Sequence, residues 1–337
     1  MYKELGVLMC LAVLMAGCGK EKLAEAIPAA SAPSAASGVA AERVAAVSAA
    51  EPSSPAETEE PMPADLLQQF AWHGRQVSAK LAKSTPQQAD ALFDEYSAML
   101  DVYNEKNPSE SGILVRINDQ EKDVLDDYMG GKFWTDDGKP TLLLKKRMQK
   151  LADVGLEYWD IGQGMAVVRP VPDYYLRLFG KYVTPDYRRY LETDARQAKE
   201  LDINDESIAI GWQAFADRIA AWEDFLQRYP DSNMVTPAQD KYLFYQAVFL
   251  LGLDNAPTYS DNGSSLYGMG EGEGDLPDAK KYLQARQDYM KKHPDSHMAK
   301  LLSLTEGLNR EQAKNAVIEY QKKHFGKASA YFDTSGE

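Results

Sequence analysis

The chain has 337 residues, with 37 Lys and Arg against 51 Asp and Glu, a formal charge of −14 at pH 7. That balance argues against nucleic acid as a partner and predicts repulsion between the protein body and anionic lipid headgroups. The two cysteines, Cys10 and Cys18, both lie near the amino terminus. Disulfides, thiolate nucleophiles and Cys-rich metal sites are therefore excluded from the rest of the chain, which must rely on a large apolar core.

Lys3 is followed by an apolar run from Leu5 to Met15 and then by small residues, the three parts of a secretory signal. The run is shorter than the roughly 20 residues that span a bilayer. Its end, Leu14-Met15-Ala16-Gly17-Cys18, resembles the lipobox of bacterial lipoproteins, with Met15 where Leu is usual. The resemblance is confined to this signal region. It implies a diacylglyceryl thioether on the Cys18 sulfur, cleavage before Cys18, and a palmitate-type acyl chain on the new amino terminus. Gly19 after the cysteine, in place of Asp, implies the outer membrane. Several acyl chains make physical sense, because one holds a protein only marginally and two or more hold it stably.

From Gly19 to Pro63 the chain is Ala, Ser, Pro and Glu with almost no large apolar residue. Such a composition cannot bury enough surface to offset ordering entropy and predicts a disordered tether. The predicted organisation is thus a signal peptide over 1–17, a tether over 18–63 and a helical domain over 64–337. In that domain Leu66, Phe70, Gly74, Val77 and Leu81 share one helical face. Thr85-Pro86-Gln87-Gln88 reads as a capped helix start, with Leu92, Tyr96, Met99 and Tyr103 on the stripe that follows and Asn107-Pro108 as its end. Further helices are predicted over 118–129 and 141–154. Leu156–Ile161, Gly162-Gln163-Gly164 and Met165–Val168 then read as a small hairpin, the one β element expected.

Helical patterns resume at Pro172 and at Thr184-Pro185. A stronger one runs from Asp205 through Ile208, Trp212, Phe215, Ile219, Trp222 and Leu226. Thr236-Pro237-Ala238-Gln239 repeats the capped start, and the helix after it is apolar over much of its circumference, so it should be central. Helices over 277–292, 296–304 and 309–325 close the chain. One internal echo stands out. Phe225-Leu226 leads to Pro230-Asp231-Ser232 as Tyr289-Met290 leads to Pro294-Asp295-Ser296. This junction resembles those of tetratricopeptide-like helical repeats in bacterial envelope proteins, which implies helical hairpins stacked in an array. The predicted fold class is mainly α, with one small β-hairpin near 156–168.

Chemistry-bearing motifs are scarce. His293 and His297 have metal-pair spacing, but Pro294 breaks the helix that would align them. In Gly268-Met-Gly270-Glu-Gly272-Glu-Gly274 the glycines alternate with carboxylates, which argues against a phosphate cradle. Glu271, Glu273, Asp275 and Asp278 have the oxygen chemistry for calcium, set against a long surface loop from Asn255 to Asp275. The segment 202–213 lacks both the turn Gly and the bidentate Glu of a calcium loop. Trp134, Tyr158, Trp159, Trp212 and Trp222 suit either a core or a ligand groove. The reading is a lipid-anchored envelope protein held through Cys18, with no cofactor or metal site assigned. Its helical domain binds another protein or a cell-wall component, without catalysis. The alternatives are a carboxylate-dependent hydrolase acting on glycan and a calcium-binding lipoprotein.

Overall fold

Local signals start most of the helices. In the computed structural model, which describes residues 60–259 and 279–334, Asp65 Oδ1 accepts from Gln68 N at 3.0 Å and opens α1 (Leu66–Leu81). Thr85 and Gln88 exchange both bonds of a capping box at the start of α2 (Pro86–Asp101), and Thr141 accepts from Leu144 N ahead of α4 (Leu142–Asp153). Between them α3 (Ile113–Met129) begins earlier than the periodicity predicts, because Ile113, Leu114 and Ile117 are already core residues.

The predicted stripe of α2 is displaced. Ala89, Phe93, Tyr96 and Leu100 are buried, Leu92 and Met99 are half-buried, and Tyr103 lies beyond the helix in solvent. The helix stops at Asp101 because the chain doubles back at Gly112, whose N–H donates to Val102 O at 2.6 Å. A Cβ at Gly112 would stand 2.3 Å from Leu100 O, so only glycine allows that approach.

The hairpin forms as predicted. Strands β1 (Leu156–Gly162) and β2 (Met165–Pro170) pair antiparallel with Tyr158 opposite Val168, and the turn Gly162-Gln163-Gly164 has three positive φ values. It is not the only β element. Two-residue ribbons form at β3 (Ile203–Asn204) with β4 (Ser207–Ile208), and at β5 (Gly252–Leu253) with β6 (Ala256–Pro257). Asn255 N donates to Glu206 O at 3.0 Å, so the two ribbons clasp each other. Their brevity leaves no period-2 pattern to read, and the Asp205-Glu206 turn takes positive φ without a glycine.

Beyond α5 (Tyr174–Phe179) and α6 (Pro185–Gln197), helix α7 (Trp212–Arg228) starts at Trp212, not Asp205, since 203–208 is spent on the ribbon. Helix α8 (Val235–Leu251) is buried almost all round, as its composition predicts. It begins one residue before Thr236 with no side-chain cap, which corrects the capped start expected there. Pro237 falls in the first turn, where its missing N–H has no partner to lose. The described residues close with α9 (Ala279–Lys292), α10 (His297–Leu304), α11 (Arg310–Phe325) and the short α12 (Tyr331–Thr334). The fold is mainly helical, with three small antiparallel ribbons.

Packing largely follows chain order: α1, α2 and α3 pack together, α3 lies on β2, α4 lies on β1, and α6 packs against α7. Helix α7 takes α8 on one side and α9 on another, while α11 covers α8. From Pro63 onward the chain clusters as one unit. Among the described residues no helix is long and apolar enough to cross a membrane.

Candidate functional site

Helix α8 carries a single cation, Lys241, on a mostly apolar body, and a cluster of ion pairs and aromatic rings forms around it. Lys241 pairs with Asp194 of α6, and its Nζ lies 5.2 Å from the Trp222 ring centre and 5.9 Å from that of Tyr190. Desolvation is the largest influence and works against the ammonium, but Asp194, Tyr190 and Tyr245 together outweigh it and raise the Lys241 pKa above the ordinary lysine value. Nearby, Arg169 of β2 stacks its guanidinium 3.4 Å over the Trp159 ring, pairs with Glu157 at 2.8 Å and donates to Ala198 O at 2.7 Å. Burial lowers the Arg169 pKa, with Glu157 and Asp194 opposing.

Tyr175 of α5 lies in the field of two carboxylates, Asp101 at the end of α2 and Asp194 of α6. Burial is the main cause of its raised pKa. Asp101 is itself pushed up to about 6 by desolvation, and among the described residues no donor reaches its carboxylate. Asp101, Trp159, Arg169, Tyr175, Asp194 and Lys241 are all half-buried. Desolvation is the leading influence on Asp101, Arg169, Tyr175 and Lys241, as expected for half-buried side chains at the edge of the core. The cluster is held from behind. Arg218 spans Asp202 at 3.2 Å and Gln197 O at 3.0 Å, Tyr245 donates to Asp202, and Trp222 Nε1 donates to Gln197 Oε1 at 2.9 Å. Aromatic faces beside balanced ion pairs suit a neutral or zwitterionic ligand with flat or hydroxylated parts.

A second polar cluster ties α2 to the start of α6. The Thr184 hydroxyl stands 2.7 Å from Asp90 Oδ2 and 2.5 Å from Asp186 Oδ1, and Thr184 N donates to Asp90 Oδ1 at 2.9 Å. One hydroxyl has one proton, so Thr184 donates to Asp90 Oδ2 or to Asp186 Oδ1. Burial raises the Asp90 pKa, with Thr184 bonds opposing and Asp186 adding. For Asp186 burial also raises, but bonds from Ser232 and Thr184 prevail and lower it. Asp94 beside them accepts from Tyr187 at 2.7 Å.

Cys18 and the four acids Glu271, Glu273, Asp275 and Asp278 lie outside the described residues. His293 stacks on Tyr289 with ring centres 4.9 Å apart, whereas His297 opens α10 and contacts the Tyr320 hydroxyl at 2.9 Å. Among the described residues no cluster of three or more His, Cys, Asp or Glu is placed to hold a metal ion. Of the five aromatics singled out, Tyr158, Trp212 and Trp222 are core, Trp159 lies under Arg169, and Trp134 is exposed. Sequence reasoning did not single out Asp101, Arg169, Asp194 or Lys241. The one readable signal was Lys241, a lone cation on the most apolar helix.

No protein-family model matches the chain, and no match emerges among curated proteins or solved structures.

Proposed function

We propose that this is a lipid-anchored envelope lipoprotein of the outer membrane, held through Cys18, whose helical domain binds a protein or a cell-wall component without catalysis. The observation that carries the anchor is Leu14-Met15-Ala16-Gly17-Cys18 behind a short apolar run. Cys18→Ser should leave an unprocessed precursor and abolish labelling by a palmitate analogue. Labelling that persists at Cys18→Ser ends the proposal, because the only other cysteine is Cys10, inside the signal run.

The binding role is supported by the half-buried aromatic and charged cluster of Trp159, Arg169 and Lys241. Capture of partners from membranes by the anchored chain should fall several-fold in Trp159→Ala, whose half-buried ring belongs to that cluster. A second reading, hydrolysis of a glycan, is favoured by Asp101 alone: a desolvated carboxyl near pKa 6 is what a general acid requires. Asp101→Asn should leave glycan turnover undetectable on that reading and leave partner capture intact on the first.

A further inference from the structure

Helix α4 opposes the charge of the protein around it. The stretch from Lys132 to Lys150 holds six cations against two carboxylates, in a chain with 51 acids and 37 bases. The acids of α3 nearest to it are engaged: Glu121 with Arg147 at 3.4 Å and with the Tyr158 hydroxyl at 2.8 Å, and Asp127 with Lys132. Asp137 pairs with Lys139 at 2.5 Å. Lys145, Lys146 and Lys150 are exposed and, among the described residues, have no ion-pair partner.

The same segment carries apolar side chains in water. Leu142 is 70% exposed, Leu143 54% and Met148 43%, and Trp134, 37% exposed, stands in the turn that leads into the helix. That turn is tied to α4 by the Trp134–Pro140 bridge and by Thr141 N donating to Phe133 O at 2.8 Å. Its Trp134 indole also donates to Tyr128 O at 3.1 Å, so the ring is held in place. Four of the eight large apolar side chains most exposed in the described residues thus fall in one short segment. Helix α4 uses Leu144 and Leu151 to pack on β1 and leaves this opposite face open. Isolated exposed apolar residues need no explanation, but a cluster interleaved with free lysines and a Trp does. Lysines over apolar side chains match an anionic headgroup layer above an acyl boundary, and a Trp suits the same depth.

From this we infer that the face formed by Trp134, Leu142, Leu143, Lys145, Lys146 and Lys150 docks on an anionic phospholipid surface. The inference rests on the anchoring reading only for proximity: an anchor at Cys18 would make docking intramolecular, with effective concentrations in the millimolar range, so a weak patch suffices. It also limits the repulsion expected from the total charge to the rest of the surface.

The test places an environment-sensitive dye on Leu143→Cys in the full chain carrying Cys10→Ser and Cys18→Ser. Its emission is followed with vesicles of phosphatidylglycerol and phosphatidylcholine, or of phosphatidylcholine alone. A blue shift is expected with the anionic vesicles only. It should be lost in about 1 M salt, where the screening length is about 3 Å. Lys145→Glu/Lys146→Glu/Lys150→Glu should lower partitioning roughly tenfold or more. The same dye on Lys292→Cys, at the end of α9, should not shift. The apolar run Leu5–Met15 is common to every variant and cannot move the dye at 143 unless α4 itself reaches the bilayer. No shift at 143, an equal shift on neutral vesicles, a shift that survives salt, or an equal shift at 292 overturns the inference. Palmitate labelling at Cys18 is read separately, so anchoring and docking can fail independently.

Discussion

The two Pro-Asp-Ser junctions begin alike and end differently. In each, the residue before the proline donates back one helical turn, Tyr229 N to Phe225 O at 3.0 Å and His293 N to Tyr289 O at 2.8 Å. In each, the serine N–H closes the turn at 3.2 Å, on Tyr229 O and on His293 O. The ring pairs match too, 5.4 Å and 46° for Phe225–Tyr229 against 4.9 Å and 42° for Tyr289–His293. Then the serines part. Ser296 caps α10 by accepting from Ala299 N at 2.9 Å, while Ser232 donates to Asp186 Oδ2 and accepts from Met234 N at 3.1 Å, so α8 starts uncapped two residues later. Each junction also receives a carboxylate from an earlier helix, Asp186 at the first and Glu223 at the second. Glu223, only 4% exposed, accepts from His297 N at 2.6 Å and from the Tyr289 hydroxyl at 3.1 Å. A shared local turn therefore serves two uses, a cross-link to α6 and a helix cap, and the preceding helix decides which.

The harshest test removes the aromatic of each. Phe225→Ala and Tyr289→Ala should each cost about 3–5 kcal/mol in urea unfolding, because both side chains are buried. The Tyr289 hydroxyl is bonded to buried Glu223, so its truncation also strips a donor from a buried carboxylate. If Phe225→Ala is neutral, the junctions are not equivalent packing units.

Tyr289→Phe isolates that donor. It should cost about 1–3 kcal/mol, since the ring stays and only Glu223 loses a partner. An unchanged midpoint would show that Glu223 is satisfied by His297 N and Gln227 Nε2 without the hydroxyl. The serines come next: Ser296→Ala should cost about 1 kcal/mol as a lost cap, and Ser232→Ala less, because its cross-link is only partly buried. Equal losses would erase the distinction between them.

The first junction alone reaches Asp90, through Asp186 and Thr184, and its prediction has a sign. A raised Asp90 pKa means that the folded state holds the proton more tightly than the unfolded chain. That contribution is full below the ordinary value of 3.8 and fades as pH rises through the raised one. Asp90→Asn removes the half-desolvated charge and keeps the acceptor for Thr184 N. It should be neutral or stabilising by up to about 1 kcal/mol at pH 7, and it should flatten this part of the decline. A clear destabilisation at pH 7, measured by urea titration at several pH values, would show that the Thr184 bonds to the carboxylate outweigh its burial. Last, Lys291→Ala and Lys292→Ala, both exposed, should be near neutral.

Signals that act through neighbouring residues were legible. Thr85 and Gln88 announced α2, Gly326 announced the end of α11 with φ 76°, and the apolar circumference of α8 announced its burial. Signals that depend on distant packing were not. The α2 stripe shifts to Phe93 and Leu100 because Phe179 and Tyr187 stack there, at 5.4 and 5.9 Å from Phe93. The ribbons at 203–208 and 252–257 depend on each other through Asn255 and Glu206, and neither has a pattern of its own. Asp194 and Lys241 look like ordinary solvated charges until α6 and α8 bring them together.

Helix α8 also sets an order of events. Its cover comes from far downstream: Gln321 donates to Leu243 O, Gln239 to Phe325 O, and the Tyr331 hydroxyl to Gly252 O, across separations of 78, 86 and 79 residues. A chain emerging amino end first therefore displays its most apolar helix with α7 alone of its main covers in place, while all of α9 and α10 is still to come. The carboxyl-terminal half of the domain cannot mature piecemeal; it must wait, open and adhesive, for α11 to arrive.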